Sequence, residues 1–242
     1  MIWLLVNNLD YNGAQAFIDE RFPVFDVPLF SHSNQSHVIN LECHTNPVTF
    51  ANNMNSPRCL KAHLAVKYLP DDIQDGKKKP KIIYIARNPK DVCVSSYYYC
   101  NNTMKVLDCS FEEFADMFLD NYAWPSENYW DHVLYFWDRR HESNILFIKY
   151  EDMKKNLLGV IRDVSKFLDK TLTSEQEDVL LNWLDIKSMK DNPAVNHNDL
   201  YGREGFIRSG KIGEHKEKMS SEILSKFDNW IKENTENTDY QP

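Results

Sequence analysis

An arginine directly follows a predicted buried strand, in the segment 86–91 that reads ARNPKD. Backbone N–H groups at the start of a helix attract anions, and a guanidinium adds a forked pair of donors that matches a phosphate. Ser95 lies in the helix predicted to follow, where its hydroxyl can donate to the same anion. The pattern favours a phosphate-binding junction. A local cap made by Arg87 beside a surface serine is the alternative that these residues leave open.

A histidine and a tyrosine lie at two other predicted strand ends. His63 closes the sequence Lys61-Ala62-His63, after a short strand predicted over 59–62. Histidine titrates near neutral pH, which suits a general base. Tyr150 ends a strand predicted over 144–150 and can face a base or a ribose. A structural histidine is the alternative at His63, and a tyrosine that serves as a core or cap residue is the alternative at Tyr150.

A basic, glycine-rich segment near the carboxyl end nearly spells a phosphate-binding loop. Residues 205–212 read GFIRSGKI, against the pattern G-x-x-x-x-G-K-[ST]. We reject that assignment, because Ile212 cannot hold magnesium and no buried strand precedes the segment. A basic lid over an anion fits better, since a glycine-rich backbone can approach a ligand closely. The lid would use four glycines and three cations: Gly202, Gly205, Gly210, Gly213, Arg203, Arg208 and Lys211.

Strands and helices alternate along the chain. The runs 81–87 and 144–150 are almost continuously apolar, which is typical of strands buried on both faces. Residues 30–57 are predicted to be irregular. Apolar spacing predicts helices over 1–6, 89–99, 127–139, 152–167 and 220–234. Two more helices are predicted from their caps: one starts at Ser110 and turns Phe111, Phe114 and Phe118 inward, and one starts at Ser174-x-x-Glu177 and runs toward Trp183. The fold class is therefore α/β, a parallel sheet flanked by helices, with ligands at the carboxyl ends of its strands.

Composition excludes several functional classes. The 242 residues are 42% hydrophobic and 26% charged, an ordinary globular balance, and the net charge of −8 argues against a nucleic-acid or acidic membrane partner. No apolar run approaches the ~18 residues that span a bilayer. Five cysteines without C-x-x-C spacing suit a reducing compartment, and without a secretory signal the chain is expected to be cytoplasmic. No metal site is predicted at His32, His37 and His44.

These segments together resemble the cytosolic sulfotransferase family in order and spacing. The resemblance covers nearly the whole chain and predicts one domain over 1–242 with the P-loop-kinase-like sulfotransferase fold. The residues that carry it are Lys61-Ala62-His63, Tyr84 to Asp91 with Ser95, Tyr150-Glu151-Asp152-Met153, Met189-Lys190-x-Asn192-Pro193, and Phe206 to Gly210 before Gly213.

The resemblance implies transfer of a sulfonate from 3′-phosphoadenosine 5′-phosphosulfate (PAPS) to a hydroxyl or amine of a small-molecule acceptor. PAP, adenosine 3′,5′-bisphosphate, is the product, and no metal is needed. The family pattern makes His63 the general base and adds Lys61 and Ser95 to the catalytic residues. The implied nucleotide-binding residues are Arg87, Ser95, Arg208, Ser209 and Gly210 at the 3′-phosphate, with Tyr150, Leu184, Ile186 and Met189 on the adenine side.

Three departures from the family pattern set further expectations. The 5′-phosphosulfate loop T-Y-P-K-[ST]-G-T-[TS]-W is absent, which predicts an N-terminally truncated chain without its first strand and with poor catalysis. Arg208-Ser209-Gly210 replaces the usual R-K-G. The dimer motif K-x-x-x-T-V-x-x-x-E survives only as Lys216, Ser220, Ser221 and Ser225, which puts the family homodimer in doubt. The alternative function is an inactive relative that binds nucleotide weakly or serves as a binding partner.

Overall fold

The computed structural model of the protein describes residues 1–24, 41–103, 105–122, 128–196 and 206–242. Its chain forms two compact units. Unit 1 contains Met1–His63 and Ile161–Gly210, and unit 2 contains Leu64–Val160 and Lys211–Pro242.

The described residues form a two-stranded sheet and a series of mostly short helices. The strands are β1 (Ile82–Ala86) and β2 (Ile145–Lys149). The α-helices are, in chain order, α1 (Ile2–Val6), α2 (Ile18–Arg21), α3 (Glu42–Thr45), α4 (Pro47–Asn53), α5 (Asp71–Gln74), α6 (Pro89–Tyr98), α7 (Phe111–Leu119), α8 (Tyr129–Asp138), α9 (Tyr150–Lys155), α10 (Leu157–Phe167), α11 (Ser174–Trp183), α12 (Ile186–Asp191), α13 (Pro193–Asn196), α14 (His215–Lys218) and α15 (Ser221–Thr235).

The sheet of unit 2 is parallel, as predicted. β1 pairs with β2 in a register that runs from Ile82 opposite Ile145 to Ala86 opposite Lys149. Both strands therefore end at the same edge of the sheet, and α6 and α9 begin just beyond that edge. The α/β class with helices around a parallel sheet is confirmed. Its consequence for function is that Arg87 and Tyr150, which follow the two strands, become neighbours.

An aromatic core holds unit 2 together. Phe114 and Phe227 are completely buried, and Tyr240 near the carboxyl terminus is 1% exposed. The rings of Phe118 and Phe227 stack at 5.9 Å, so α7 packs on α15. Aromatic pairs of this kind contribute about 0.5–1.5 kcal/mol beyond the area that they bury. This core supports the helices that flank β1 and β2.

The capping box predicted at Ser110 is present. The Ser110 hydroxyl accepts from the Glu113 backbone N–H at 3.2 Å, and the Glu113 carboxylate accepts from the Ser110 N–H at 2.8 Å. Two N–H groups at the start of α7 are thus satisfied reciprocally. The helix then turns Phe111, Phe114 and Phe118 toward the core, as the sequence pattern indicates.

In the described part of unit 1, a parallel bridge lies where the sequence predicts a strand over 59–62. Lys61 pairs with Val24, and its N–H donates to the Pro23 carbonyl at 2.9 Å. Residues 60–62 are exposed and only Cys59 is buried, so the segment lacks the two-sided burial that stabilises a longer parallel strand.

Two further expectations need correction. The segment 30–57, which is predicted to be irregular, contains α3 and α4. Asn46 caps α4 by accepting from the Thr49 N–H at 3.4 Å, and Pro47 lies in the first turn. Residues 30–40 lie outside the described part.

The single helix predicted over 152–167 is divided between α9 and α10. Its break is at Asn156, whose side-chain oxygen accepts from the Gly159 N–H at 2.9 Å and starts a new helix.

The start of α11 is also different from the prediction and provides a stability test. Thr173, not Ser174, is the cap: its hydroxyl accepts from the Gln176 N–H at 3.2 Å. Glu177 instead pairs with Arg162 at 2.7 Å. We expect Thr173→Ala to lower the free energy of unfolding by about 1 kcal/mol. The matched variant Ser174→Ala is expected to change it by less than about 0.5 kcal/mol, because alanine suits the first helical position. Chemical denaturation of both variants measures this, and equal losses would contradict the cap assignment.

Candidate functional site

Arg87 and Tyr150 are brought together by the sheet register. They are the residues after Ala86 and Lys149, which are opposite each other in the ladder. The guanidinium carbon of Arg87 lies 4.6 Å from the centroid of the Tyr150 ring. A cation held over an aromatic face in this way is attracted by the ring quadrupole. Burial raises the pKa of Tyr150, and the positive charge of Arg87 opposes that shift.

The guanidinium of Arg87 is fixed but incompletely paired. Its Nη2 donates to the backbone carbonyl of Lys211 at 3.0 Å and lies 4.0 Å from a carboxylate oxygen of Asp91. Its Nε is buried and has no hydrogen-bond partner among the described residues. A buried donor without a partner costs about 1–3 kcal/mol. An anion that accepts from Nε removes this cost, so the chemistry of the donors fits a phosphate.

The peptide group that joins Arg87 to Asn88 is held by hydrogen bonds at its carbonyl and at its N–H. The Tyr129 hydroxyl donates to the Arg87 carbonyl at 2.6 Å. The Asn88 N–H donates to the Glu151 carboxylate at 2.9 Å, and the Asn88 side chain accepts from the Lys90 N–H at 3.0 Å to cap α6. Burial raises the pKa of Tyr129 well above its ordinary value, so its hydroxyl stays protonated and remains a donor. The hydrogen bond between Asn88 and Glu151 connects the two strand ends directly.

Asp91 receives three hydrogen bonds from the segment that leads into α14. Its carboxylate accepts from the Gly213 N–H at 2.6 Å, from the His215 N–H at 3.2 Å and from His215 Nδ1 at 2.7 Å. Burial opposes ionisation of Asp91, but these donors together outweigh it, so its pKa lies below the ordinary value. Sequence reasoning included Asp91 in a motif without a role. Its position in the first turn of α6, four residues after Arg87, is the signal that was available.

Ser95 lies on α6, the helix that begins just beyond Arg87. It is half-buried and follows Asp91 by one helical turn, so both side chains share one side of α6. Its assigned contact with the 3′-phosphate stays a prediction.

The predicted base lies in unit 1, next to the bridge at Lys61. Lys61 is exposed, and its Nζ is 6.0 Å from the centroid of the Phe206 ring. His63 is half-buried two residues later. This contact of Lys61 with Phe206 connects the segment of the predicted base to the glycine-rich segment. The catalytic roles of Lys61 and His63 stay predictions.

The described part of the glycine-rich segment is attached to Asn196, which is buried. The side chain of Asn196 accepts from the Ile207 N–H at 2.6 Å and donates to the Lys190 carbonyl at 3.0 Å. Gly210 has φ of +65°, a conformation that favours glycine. Sequence reasoning missed Asn196. The predicted roles of Arg208, Ser209 and Gly210 stay predictions, and Gly202, Arg203 and Gly205 lie outside the described residues.

The residues predicted for the adenine side lie at the junction of α11 and α12 in unit 1. Leu184 ends α11, and Asp185 caps α12 by accepting from the Lys187 N–H at 2.8 Å. Leu184, Ile186 and Met189 are all half-buried, so parts of these apolar side chains are available to a ligand. Their role stays a prediction.

A half-buried histidine that the sequence analysis did not select lies in unit 2. His132 Nδ1 is 2.8 Å from the Tyr84 hydroxyl, and His132 Nε2 is 3.1 Å from the Leu64 carbonyl. Burial raises the pKa of Tyr84 strongly, so its hydroxyl stays protonated and can donate to Nδ1. In that arrangement Nε2 carries the proton and donates to Leu64. His132 thereby links Leu64, the residue after the predicted base His63, to Tyr84 of β1.

The described residues contain no group of three potential metal-ligating side chains. His44 pairs with Asp19 at 2.9 Å, while His32 and His37 lie outside the described part. Within the same described ranges, no helix has the length and apolar character needed to cross a membrane.

Comparison with known families identifies the class to which this fold and site belong. Residues 1–239 match the model of the sulfotransferase domain. The chain therefore belongs to the sulfotransferase family, as the resemblance of its motifs predicts.

Two curated relatives are similar over most of the chain. Luciferin sulfotransferase of Photinus pyralis is 37% identical over 246 residues, which cover 96% of this chain and 66% of the relative. Amine sulfotransferase of Oryctolagus cuniculus is 34% identical over 190 residues, which cover 75% of this chain and 62% of the relative. The chain thus spans less than two thirds of the length of these relatives.

A solved structure supports the same relationship. Retinol dehydratase in a complex with retinol and PAP superimposes with a TM-score of 0.85 at 28% identity, and covers 100% of this chain and 77% of that chain.

Proposed function

We propose that this protein is a PAPS-dependent sulfotransferase that transfers a sulfonate group to a hydroxyl or amine of a small-molecule acceptor. The observation that carries the proposal is the Arg87 guanidinium, fixed over Tyr150 at the carboxyl ends of β1 and β2. Its buried Nε has no hydrogen-bond partner within the described part of the chain. Ligands bind at this edge of parallel α/β sheets. The family membership and the PAP bound to retinol dehydratase support the choice of nucleotide.

The proposed nucleotide-binding residues fall into three groups. Arg87 and Ser95 bind the 3′-phosphate, and Tyr150 contacts the adenine side together with Leu184, Ile186 and Met189. Arg208, Ser209 and Gly210 close over the 3′-phosphate. Arg87 is suited to this role because a planar guanidinium offers parallel N–H donors that a phosphate accepts in a bidentate manner. We also propose that residues 1–242 are a single sulfotransferase domain.

The proposed chemistry is an in-line displacement at sulfur. The acceptor oxygen or nitrogen forms a bond to sulfur, the bond between sulfur and the 5′-phosphate oxygen breaks, and PAP leaves with that electron pair. His63 takes the acceptor proton as general base, with Lys61 beside it. Positioning and stabilisation of charge are expected to provide most of the rate enhancement, as in phosphoryl transfer.

The surroundings of this activity are also proposals. We place the protein in the cytoplasm, with small-molecule acceptors as its partners and without nucleic acid or membrane. The incomplete dimer motif at Lys216, Ser220, Ser221 and Ser225 argues against the family homodimer.

The direct test uses PAPS labelled with ³⁵S and a panel of phenols, alcohols and amines. We expect label to appear on at least one acceptor, and PAP to form in equal amount. If PAP binds but no acceptor in the panel becomes labelled, the result favours the alternative of an inactive nucleotide-binding relative. If neither PAP nor PAPS binds, the proposed function is wrong.

A further inference from the structure

The segment 211–215 is attached to α6 through one buried carboxylate. Asp91 is 2% exposed and accepts from the Gly213 N–H at 2.6 Å and from His215 Nδ1 at 2.7 Å. The histidine side chain is 12% exposed, so the Asp91–His215 pair is largely shielded from solvent. Charge-assisted hydrogen bonds in such surroundings are stronger than exposed ones. Gly213 has φ of +80°, which permits the turn that presents its N–H to Asp91.

The same segment also accepts a hydrogen bond from the guanidinium of Arg87. The Lys211 carbonyl, two residues before Gly213, accepts from Arg87 Nη2 at 3.0 Å. Asp91 Oδ2 lies 4.0 Å from that same Nη2. One edge of the guanidinium is therefore occupied by groups whose positions depend on Asp91. The buried Nε, without a partner among the described residues, belongs to the remaining donors, which are left for an anion.

We propose that Asp91 and His215 are positioning residues that set the selectivity of the Arg87 site for a 3′-phosphate. This inference rests on the proposed function, because it assumes that the anion at Arg87 is the nucleotide 3′-phosphate. Neither residue touches the nucleotide. The pair fixes the Lys211 carbonyl, the carbonyl fixes the Arg87 fork, and the fork distinguishes a nucleotide that carries a 3′-phosphate from one that lacks it.

The measured quantity is the selectivity ratio, the dissociation constant of adenosine 5′-phosphate divided by that of PAP. In Asp91→Asn one oxygen acceptor becomes an NH₂ donor, so Gly213 or His215 loses its partner. We expect the ratio to fall about tenfold, as when one charge-assisted contact is misplaced. The control Asp116→Asn makes the same change at an exposed aspartate of unit 2 and is expected to leave the ratio unchanged.

Two variants of His215 keep the test decisive if Asp91→Asn does not fold. His215→Phe removes the Nδ1 donor and is expected to lower the selectivity ratio about tenfold. His215→Asn places an amide donor near the position of Nδ1 and is expected to restore most of it. A merely structural role would lower the thermal stability of both variants without changing the ratio.

The outcomes separate this inference from the proposed function. Equal affinities of the unmodified protein for the two nucleotides would overturn the proposed function, and this inference with it. Tighter binding of PAP by the unmodified protein, with the same ratio in folded Asp91→Asn and His215→Phe, would overturn the inference alone.

Discussion

Replacing His63 with alanine is expected to lower the rate of sulfonate transfer about 10²–10⁴-fold, the usual contribution of a general base. The affinity for PAP is expected to remain within about twofold, because a base acts on the acceptor and not on the nucleotide. The measurement is ³⁵S transfer from PAPS at saturating acceptor, with PAP affinity from calorimetry on the same preparation.

The control for this variant is His141→Ala. His141 is exposed in the turn between α8 and β2, and we place it in no site. The control is expected to keep both turnover and PAP affinity. Near-normal turnover of His63→Ala would show that His63 is structural and that another group takes the acceptor proton.

Replacing Arg87 with alanine is expected to weaken PAP binding about 10–100-fold, because hydrogen bonds to a charged group contribute about 1.5–3 kcal/mol. The affinity for adenosine 5′-phosphate is expected to change much less, since that nucleotide has no 3′-phosphate for the fork to bind. Arg87→Lys keeps the charge but loses the forked donors. Its affinity for PAP is therefore expected to lie between that of the unmodified protein and that of Arg87→Ala. Calorimetric titration of each variant with both nucleotides measures the effect.

Arg162→Ala is the matched control for the loss of one positive charge. The Arg162 side chain is 59% exposed and pairs with Glu177, and we place it in no binding site. The control should leave the affinities for both nucleotides unchanged. An equal loss of PAP and adenosine 5′-phosphate binding in Arg87→Ala would show that Arg87 holds a group common to both nucleotides.

Features that depend on nearby residues could be predicted from the sequence. The strands β1 and β2 were recognisable because their apolar runs are bounded by polar or proline residues, and α7 because both halves of its capping box lie within four residues. The breaks were harder to predict. Asn156 interrupts an apolar pattern that continues across it, and Thr173 and Ser174 are chemically equivalent candidates for the same cap.

The candidate site likewise contains some contacts that the sequence could predict and others that it could not. Arg87 and Tyr150 could be proposed as neighbours because parallel strands place their carboxyl ends at one edge. The partners of Asp91 could not, because Gly213 and His215 are 122 and 124 residues away and only the folded chain brings them close. The same holds for His132, which reaches Leu64 across 68 residues. Sequence patterns report local geometry, whereas these contacts are products of tertiary packing.

The most direct test of the central claim is titration of the unmodified protein with PAP and with adenosine 5′-phosphate under identical conditions. The two nucleotides differ only in the 3′-phosphate that Arg87 is proposed to bind. We predict that PAP binds at least about tenfold more tightly, as expected for one charge-assisted bidentate contact. Equal dissociation constants for the two nucleotides would contradict the claim that the carboxyl ends of β1 and β2 form a 3′-phosphate site.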